Sequence, residues 1–148
     1  MGGDRLVAFL GGDGADGAGR RFDDVLAFSD EALEARHDFI QWLFPLDEPS
    51  RAVPGSPVLN AEATDALRRS PLARDRQRRA ASRMLDFYAA TRGWRRTFDH
   101  NHLRITRIIR SLRAICGDAE ADRFKAEILR LARDAAIDPT SRRFWEQA

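Results

Sequence analysis

Between His37 and Pro45 the chain reads HDFIQWLFP, and five of those side chains are large and apolar. A helix carrying Phe39, Ile40, Trp42, Leu43 and Phe44 is apolar on every face, so other elements must enclose it. A chain of 148 residues, 43% of them apolar, has about the length and apolar content of one domain able to do so. Pro45 stops the helix, because its ring clashes with the preceding turn. Ser29, followed by Asp30 and Glu31, supplies the cap and acidic first turn that begin it. The spacing therefore predicts a central, buried helix running to Phe44.

The remaining segments read as helix almost throughout. Seven of the ten glycines lie in the first 19 residues, most of them in GGDGADGAG after the apolar run LVAFL. This predicts a partly irregular N-terminal segment over 1–21, with a possible strand at 6–10, ahead of a helical core over 22–148. Four prolines between Pro45 and Pro57 predict an irregular crossing segment. Asn60 caps a short helix to about Arg69, and Ser70–Pro71 opens a longer one reaching Gly93. Ile105, Ile108, Ile109 and Leu112 recur at helical spacing, and Gly117 ends that helix. Phe124, Ile128 and Leu131 mark another, and Asp138–Pro139 starts the last. The expected fold is an all-α, single-domain bundle of five or six helices spanning residues 1–148.

Charge is uneven. Residues 1–66 hold five arginines against thirteen acids, whereas 67–113 hold fourteen arginines against three, and the whole chain sums to +2. The Arg-rich 68–96 region admits a nucleic-acid-binding helix, but its arginines scatter over more than one face with few aromatics between them, so a solvated face is favoured. Cys116, the one cysteine, cannot form an internal disulfide, which suits a reduced, cytoplasmic protein. No apolar run approaches the roughly 20 residues that cross a bilayer.

Several motifs fail on inspection. Gly12, Gly14 and Gly17 match a dinucleotide-binding fingerprint, but Asp13 and Asp16 would repel a pyrophosphate and no second β-α-β unit follows. The same stretch nearly fits a calcium-binding nonapeptide, which needs stacked repeats. A flexible surface loop is the simpler expectation. His100 and His102 could ligate a metal with Asp99 or His37, but residues two apart on a helix face opposite ways. Cys116 reads as a buried structural thiol. No nucleophile and base share a recognisable pattern, so neither an enzyme, a metal centre nor a cofactor is expected.

Within the apolar block His37, Asp38 and Gln41 are polar and need partners. The second block, HNHLRITRIIR, offers Asn101, Arg104 and Arg107, and an Asp38–arginine pair is expected. Together HDFIQWLFPLDEPS and HNHLRITRIIRSL resemble the conserved domain of the opioid growth factor receptor family, over roughly residues 22 to 115. The chain departs from the pattern at Ala52 and Val53, where the family tends to have an asparagine. The resemblance implies a domain-only member of bacterial type. In animals it implies binding of an enkephalin peptide, with a nuclear and membrane-associated location, hence peripheral membrane association by analogy.

These readings combine in a non-catalytic binding domain for a small or peptidic ligand. The candidate ligand-binding residues are His37, Asp38, Gln41, Trp42, His100, Asn101, Arg104 and Arg107. Asp38 would receive a cation, Arg104 or Arg107 an oxyanion through a two-bond fork, and Trp42 would form a flat wall. The two blocks are expected to pack together, with Asp38 or Gln41 bonded to Arg104, Arg107 or Asn101.

Overall fold

Side-chain caps decide where several helices begin. In the computed structural model, which describes residues 2–148, Asn60 accepts from the Ala63 amide, Ser70 from Ala73 and Ser29 from Ala32. Asp138 caps the last helix in the same way through Thr140. The described residues form nine helices and no strand: α1 (Gly3–Gly11), α2 (Phe22–Leu26), α3 (Asp30–Ala35), α4 (Ile40–Leu43), α5 (Ala61–Arg69), α6 (Pro71–Ala90), α7 (Asn101–Ile115), α8 (Asp118–Leu131) and α9 (Pro139–Gln147). α7 is the axis of the bundle. Ile105, Ile108, Ile109 and Leu112 on it are fully enclosed, with α5, α6, α8 and α9 packed around it. Gly117, at φ 104°, turns the chain from α7 into α8 in a left-handed conformation that favours glycine.

Three features differ from the sequence expectation. The possible strand at 6–10 is helix α1, which buries Leu6, Phe9 and Leu10. The helix expected from Ser29 to Phe44 is two short helices, α3 and α4, with an extended break beginning at Arg36. Leu33 and Phe39 are both buried, yet six residues apart on one helix they would diverge by about 120°. The break lets both enter the core. α4 is enclosed as predicted, but it is one turn, and α7 takes the central place. Finally, α2 raises the helix number further, with Phe22 and Val25 in the core.

The glycine-rich loop is tied down rather than loose. The Asp16 carboxylate is buried and accepts from the Ala18 and Arg20 amides at 2.9 Å and from Arg20 Nε at 2.8 Å. Gly14 donates its amide to the Ala8 carbonyl at 2.9 Å. A Cβ there would sit 2.6 Å from the Ala8 Cβ, so only glycine allows this approach. With a helix, not a strand, ahead of it and Asp16 filling its interior, the loop has no dinucleotide cradle.

Arginines hold the carbonyl ends of the helices. The last carbonyls of a helix lack internal partners and carry partial negative charge. Arg76 donates to the Phe9, Leu10 and Gly12 carbonyls at the end of α1. Arg104 serves the end of α3, Arg107 that of α4, Arg68 that of α7 and Arg142 that of α8. Arg113 and Lys125 do the same at the C-terminus of α9. Arg83 bonds the Phe28 carbonyl and Asp30. Much of the basic middle segment is thereby engaged inside the fold.

Candidate functional site

Because Arg104 and Arg107 are one turn apart on α7 and reach back to α3 and α4, they bring the two sequence blocks against each other. Arg104 is 6% exposed. It donates to the Leu33 carbonyl at 2.6 Å, to the Arg36 carbonyl, and approaches His37 Nδ1 at 3.4 Å. Its guanidinium lies over the Phe39 ring. Arg107 donates to the Phe44 carbonyl at 3.0 Å and forms no ion pair among the described residues. Burial lowers the pKa of both guanidiniums, but they stay charged.

Between this part of α7 and the segment 37–52 lies an open cleft of 590 Å³. Ile40, Leu46 and Leu103 form its apolar wall, and Arg51, Arg104, Arg107 and Arg110 its basic one. Glu48 balances one of these, pairing with Arg110 at 2.9 Å. Hydrogen bonding and charge from Arg110 hold its carboxyl below the ordinary range. Gln41, 3% exposed, donates Nε2 to the Ser50 hydroxyl at 3.3 Å, while its Oε1 is buried with no hydrogen-bond partner.

Of the eight sequence candidates, His37, Gln41, His100, Arg104 and Arg107 line this cleft. The other three do not. Asp38 is half exposed and pairs with Arg20 at 3.1 Å, so the expected pair with a second-block arginine is replaced by one with the glycine-rich loop. Trp42 faces α1, edge-on to Phe9 with Arg5 over its ring; it is a core residue rather than a wall of the cleft. Asn101 is enclosed, taking the Tyr88 hydroxyl and donating to Glu34 and Asp99. Nor does Gln41 bond Arg104, Arg107 or Asn101. The sequence reading missed Leu46, Ser50, Arg51 and Arg110; their only signal was adjacency to the Pro-rich segment or to the second block.

Beside the cleft, Glu34, Asp99 and His100 offer three atoms at metal-ligand separation. These atoms already serve one another: His100 Nε2 lies 3.2 Å from Glu34, and Asp99 receives the Asn101 amide, Asn101 Nδ2 and Arg96. His102 is apart from them, its Nε2 2.8 Å from the Trp94 carbonyl. Cys116 contacts Gln77 Oε1 and the Arg74 carbonyl, and burial pushes its thiol up to about 11. That is an inert setting for a thiol.

An all-helical domain with an Arg-lined cleft where two sequence blocks meet is the class these observations define. Residues 26–97 match the model of the opioid growth factor receptor conserved region, which takes in the first block and ends before the second. Opioid growth factor receptors of Mus musculus and Rattus norvegicus are each 33% identical to this chain, and that of Homo sapiens 31%, over 68% of the chain. The chain spans 17 to 20% of the length of those proteins. No solved structure matches. Through residues 26–97 the chain belongs to the opioid growth factor receptor conserved-region family.

Proposed function

We propose that this chain is a non-catalytic binding domain that takes a small or peptidic ligand into the cleft between segment 37–52 and α7. The observation that carries this is the open 590 Å³ cleft itself, where the apolar Ile40, Leu46 and Leu103 face Arg51, Arg104 and Arg107. The names of the curated relatives describe receptors, which favours binding over catalysis. The inert setting of Cys116 agrees with that. No helix of the described residues is long and apolar enough to cross a membrane, so any membrane contact through these helices would be peripheral.

Two-dimensional NMR with pooled short peptides and small organic acids tests the reading. Shifts confined to the amides of Ile40, Gln41, Leu46 and Leu103 to Arg107 are the expected result. No shift with any pool at millimolar concentration, or shifts mapping to the α8 surface instead, would overturn it.

A further inference from the structure

We propose that a second cleft, between the 92–95 turn and the end of α8, binds the phosphate group of a small phosphomonoester. This cleft of 540 Å³ is lined by Arg92, Arg95, Arg130, Leu131, Asp134 and Ala135, and shares no residue with the one between segment 37–52 and α7. Trp94 builds it. Its ring is buried, and its indole nitrogen donates to the Tyr88 carbonyl at 2.9 Å and the Thr91 carbonyl at 3.1 Å. The Arg95 amide donates to the Arg92 carbonyl at 3.0 Å, closing a turn that brings both arginines to the same cleft. The Arg95 guanidinium carbon then lies 5.6 Å from the centre of the Trp94 ring. Such stacking orients a guanidinium by its face and leaves the terminal N–H groups at its edge to a ligand. Arg95 Nε is enclosed, so the terminal amines are what this side chain offers.

The charges of the cleft do not cancel. Among the described residues neither Arg92 nor Arg95 forms an ion pair or donates a side-chain hydrogen bond; the nearby Asp99 goes to Arg96 instead. Arg130 pairs with Glu127, one turn back on α8, at 2.8 Å. That pair is exposed and lies on one helix, too weak to keep the guanidinium from a better partner. The Ala135 carbonyl is taken by Arg142 at 2.9 Å, so it presents no bare acceptor to oppose an anion. Asp134 is the one carboxylate of the lining, against three arginines. The surplus calls for an anion, and the number of guanidiniums chooses which. The two oxygens of a carboxylate suit a single fork. A phosphomonoester has three terminal oxygens and a charge of about −1.5 to −2 at pH 7, enough for two or three forks together. A phosphodiester has two free oxygens and a single charge. Leu131 and Ala135 supply apolar contact for the carbon frame that carries the phosphate.

The test is an NMR titration with glycerol 1-phosphate, set against dimethyl phosphate and acetate at equal ionic strength. Glycerol 1-phosphate should shift the amides of Arg92 to Arg96 and of Arg130 to Ala135. Arg95→Gln should weaken it about tenfold, the size of one lost charge-assisted hydrogen bond. Asp134→Asn removes the opposing charge and should tighten it about threefold, as expected for one exposed charge. Dimethyl phosphate and acetate should each bind about tenfold more weakly than the monoester. Melting curves establish that each variant is folded, and Asp134, exposed in the turn after α8, keeps the test open should Arg95→Gln fail to fold. Equal affinity for dimethyl phosphate or acetate would overturn the proposal, as would affinities unchanged in both variants or no shift at millimolar concentration. A single-stranded oligonucleotide that displaces glycerol 1-phosphate at lower concentration would overturn it in favour of a nucleic-acid surface. Shifts confined to Leu103 to Arg107 would overturn it by placing the anion in the other cleft. Because the two clefts share no residue, each of these failures leaves ligand binding between segment 37–52 and α7 standing.

Discussion

Replacing Arg104 by lysine separates a guanidinium that ties two carbonyls from one that merely supplies charge. The side chain donates to the Leu33 and Arg36 carbonyls from two nitrogens, approaches His37 and covers Phe39. Lysine keeps the charge near Glu34 and Asp99, but its single ammonium cannot reproduce the planar fork. One charge-assisted hydrogen bond would be lost, worth about 1.5–3 kcal/mol, and a buried carbonyl left without a donor. The expected loss is about 2–3 kcal/mol for Arg104→Lys and about 3–5 kcal/mol for Arg104→Ala. For a chain of this length the lysine variant should melt roughly 4–12 °C lower. Urea titration followed by tryptophan fluorescence measures this directly, with the slope expected to stay constant because the surface exposed on unfolding is unchanged. A lysine variant within 0.5 kcal/mol of the parent would refute the reasoning and show that Arg104 acts through its charge alone.

Trp42→Ala should cost about 3–5 kcal/mol by emptying a core position against Phe9, whereas Arg107→Gln, with one carbonyl to lose, should cost about 1 kcal/mol; equal melts would remove Arg107 from the site. Burial raises the Asp99 pKa, but bonds from the Asn101 backbone and side chain, with His100 and Arg96, outweigh it and leave it lowered. The stability it contributes is present above the ordinary aspartate value of about 3.9 and fades as pH falls through the lower folded value. The penalty of Asp99→Asn should therefore shrink on acidification, and urea midpoints at pH 7 and pH 3 that show a constant penalty would contradict this. Gly14→Ala forces a Cβ against Ala8 and should cost about 1–3 kcal/mol in a thermal melt. Binding to labelled duplex or single-stranded DNA should be weak and disappear with salt, because Arg76 and Arg83 are part-buried and tied to main-chain carbonyls and Arg68 is held at the surface by the end of α7; sub-micromolar, sequence-dependent affinity would reverse that conclusion.

The helices with capping residues were legible from sequence: Asn60, Ser70–Pro71 and Asp138–Pro139 each start a helix where expected, and Gly117 ends α7. α1 was not, because LVAFL is a short apolar run with no polar cap before it, equally suited to strand or helix. The break between α3 and α4 has no proline or glycine to announce it. It is held by Arg104, 68 residues further along the chain, which bonds the Arg36 carbonyl there, a tie that local pattern cannot show. At the site, polar residues embedded in an apolar block pointed to Gln41, and the second block pointed to Arg104 and Arg107. Which way Trp42 would face was hidden, since an element apolar on all sides gives no direction. Asp38 found its partner in Arg20, inside a loop that sequence presented as unattached.

The arginine ties to helix ends place an unequal burden on their two partners. An ion pair can be broken by substituting either side chain. Here the acceptor is main chain, so replacing Leu33, Ala114, Ala132 or Phe9 changes packing but never removes the oxygen that Arg104, Arg68, Arg142 or Arg76 holds. At the receiving positions packing limits variation but these bonds do not, while each donor is confined to the one side chain with a planar, permanently charged fork. In this fold the long-range joints are written in one residue of each pair, and no compensating change at the other can restore a joint once its arginine is lost.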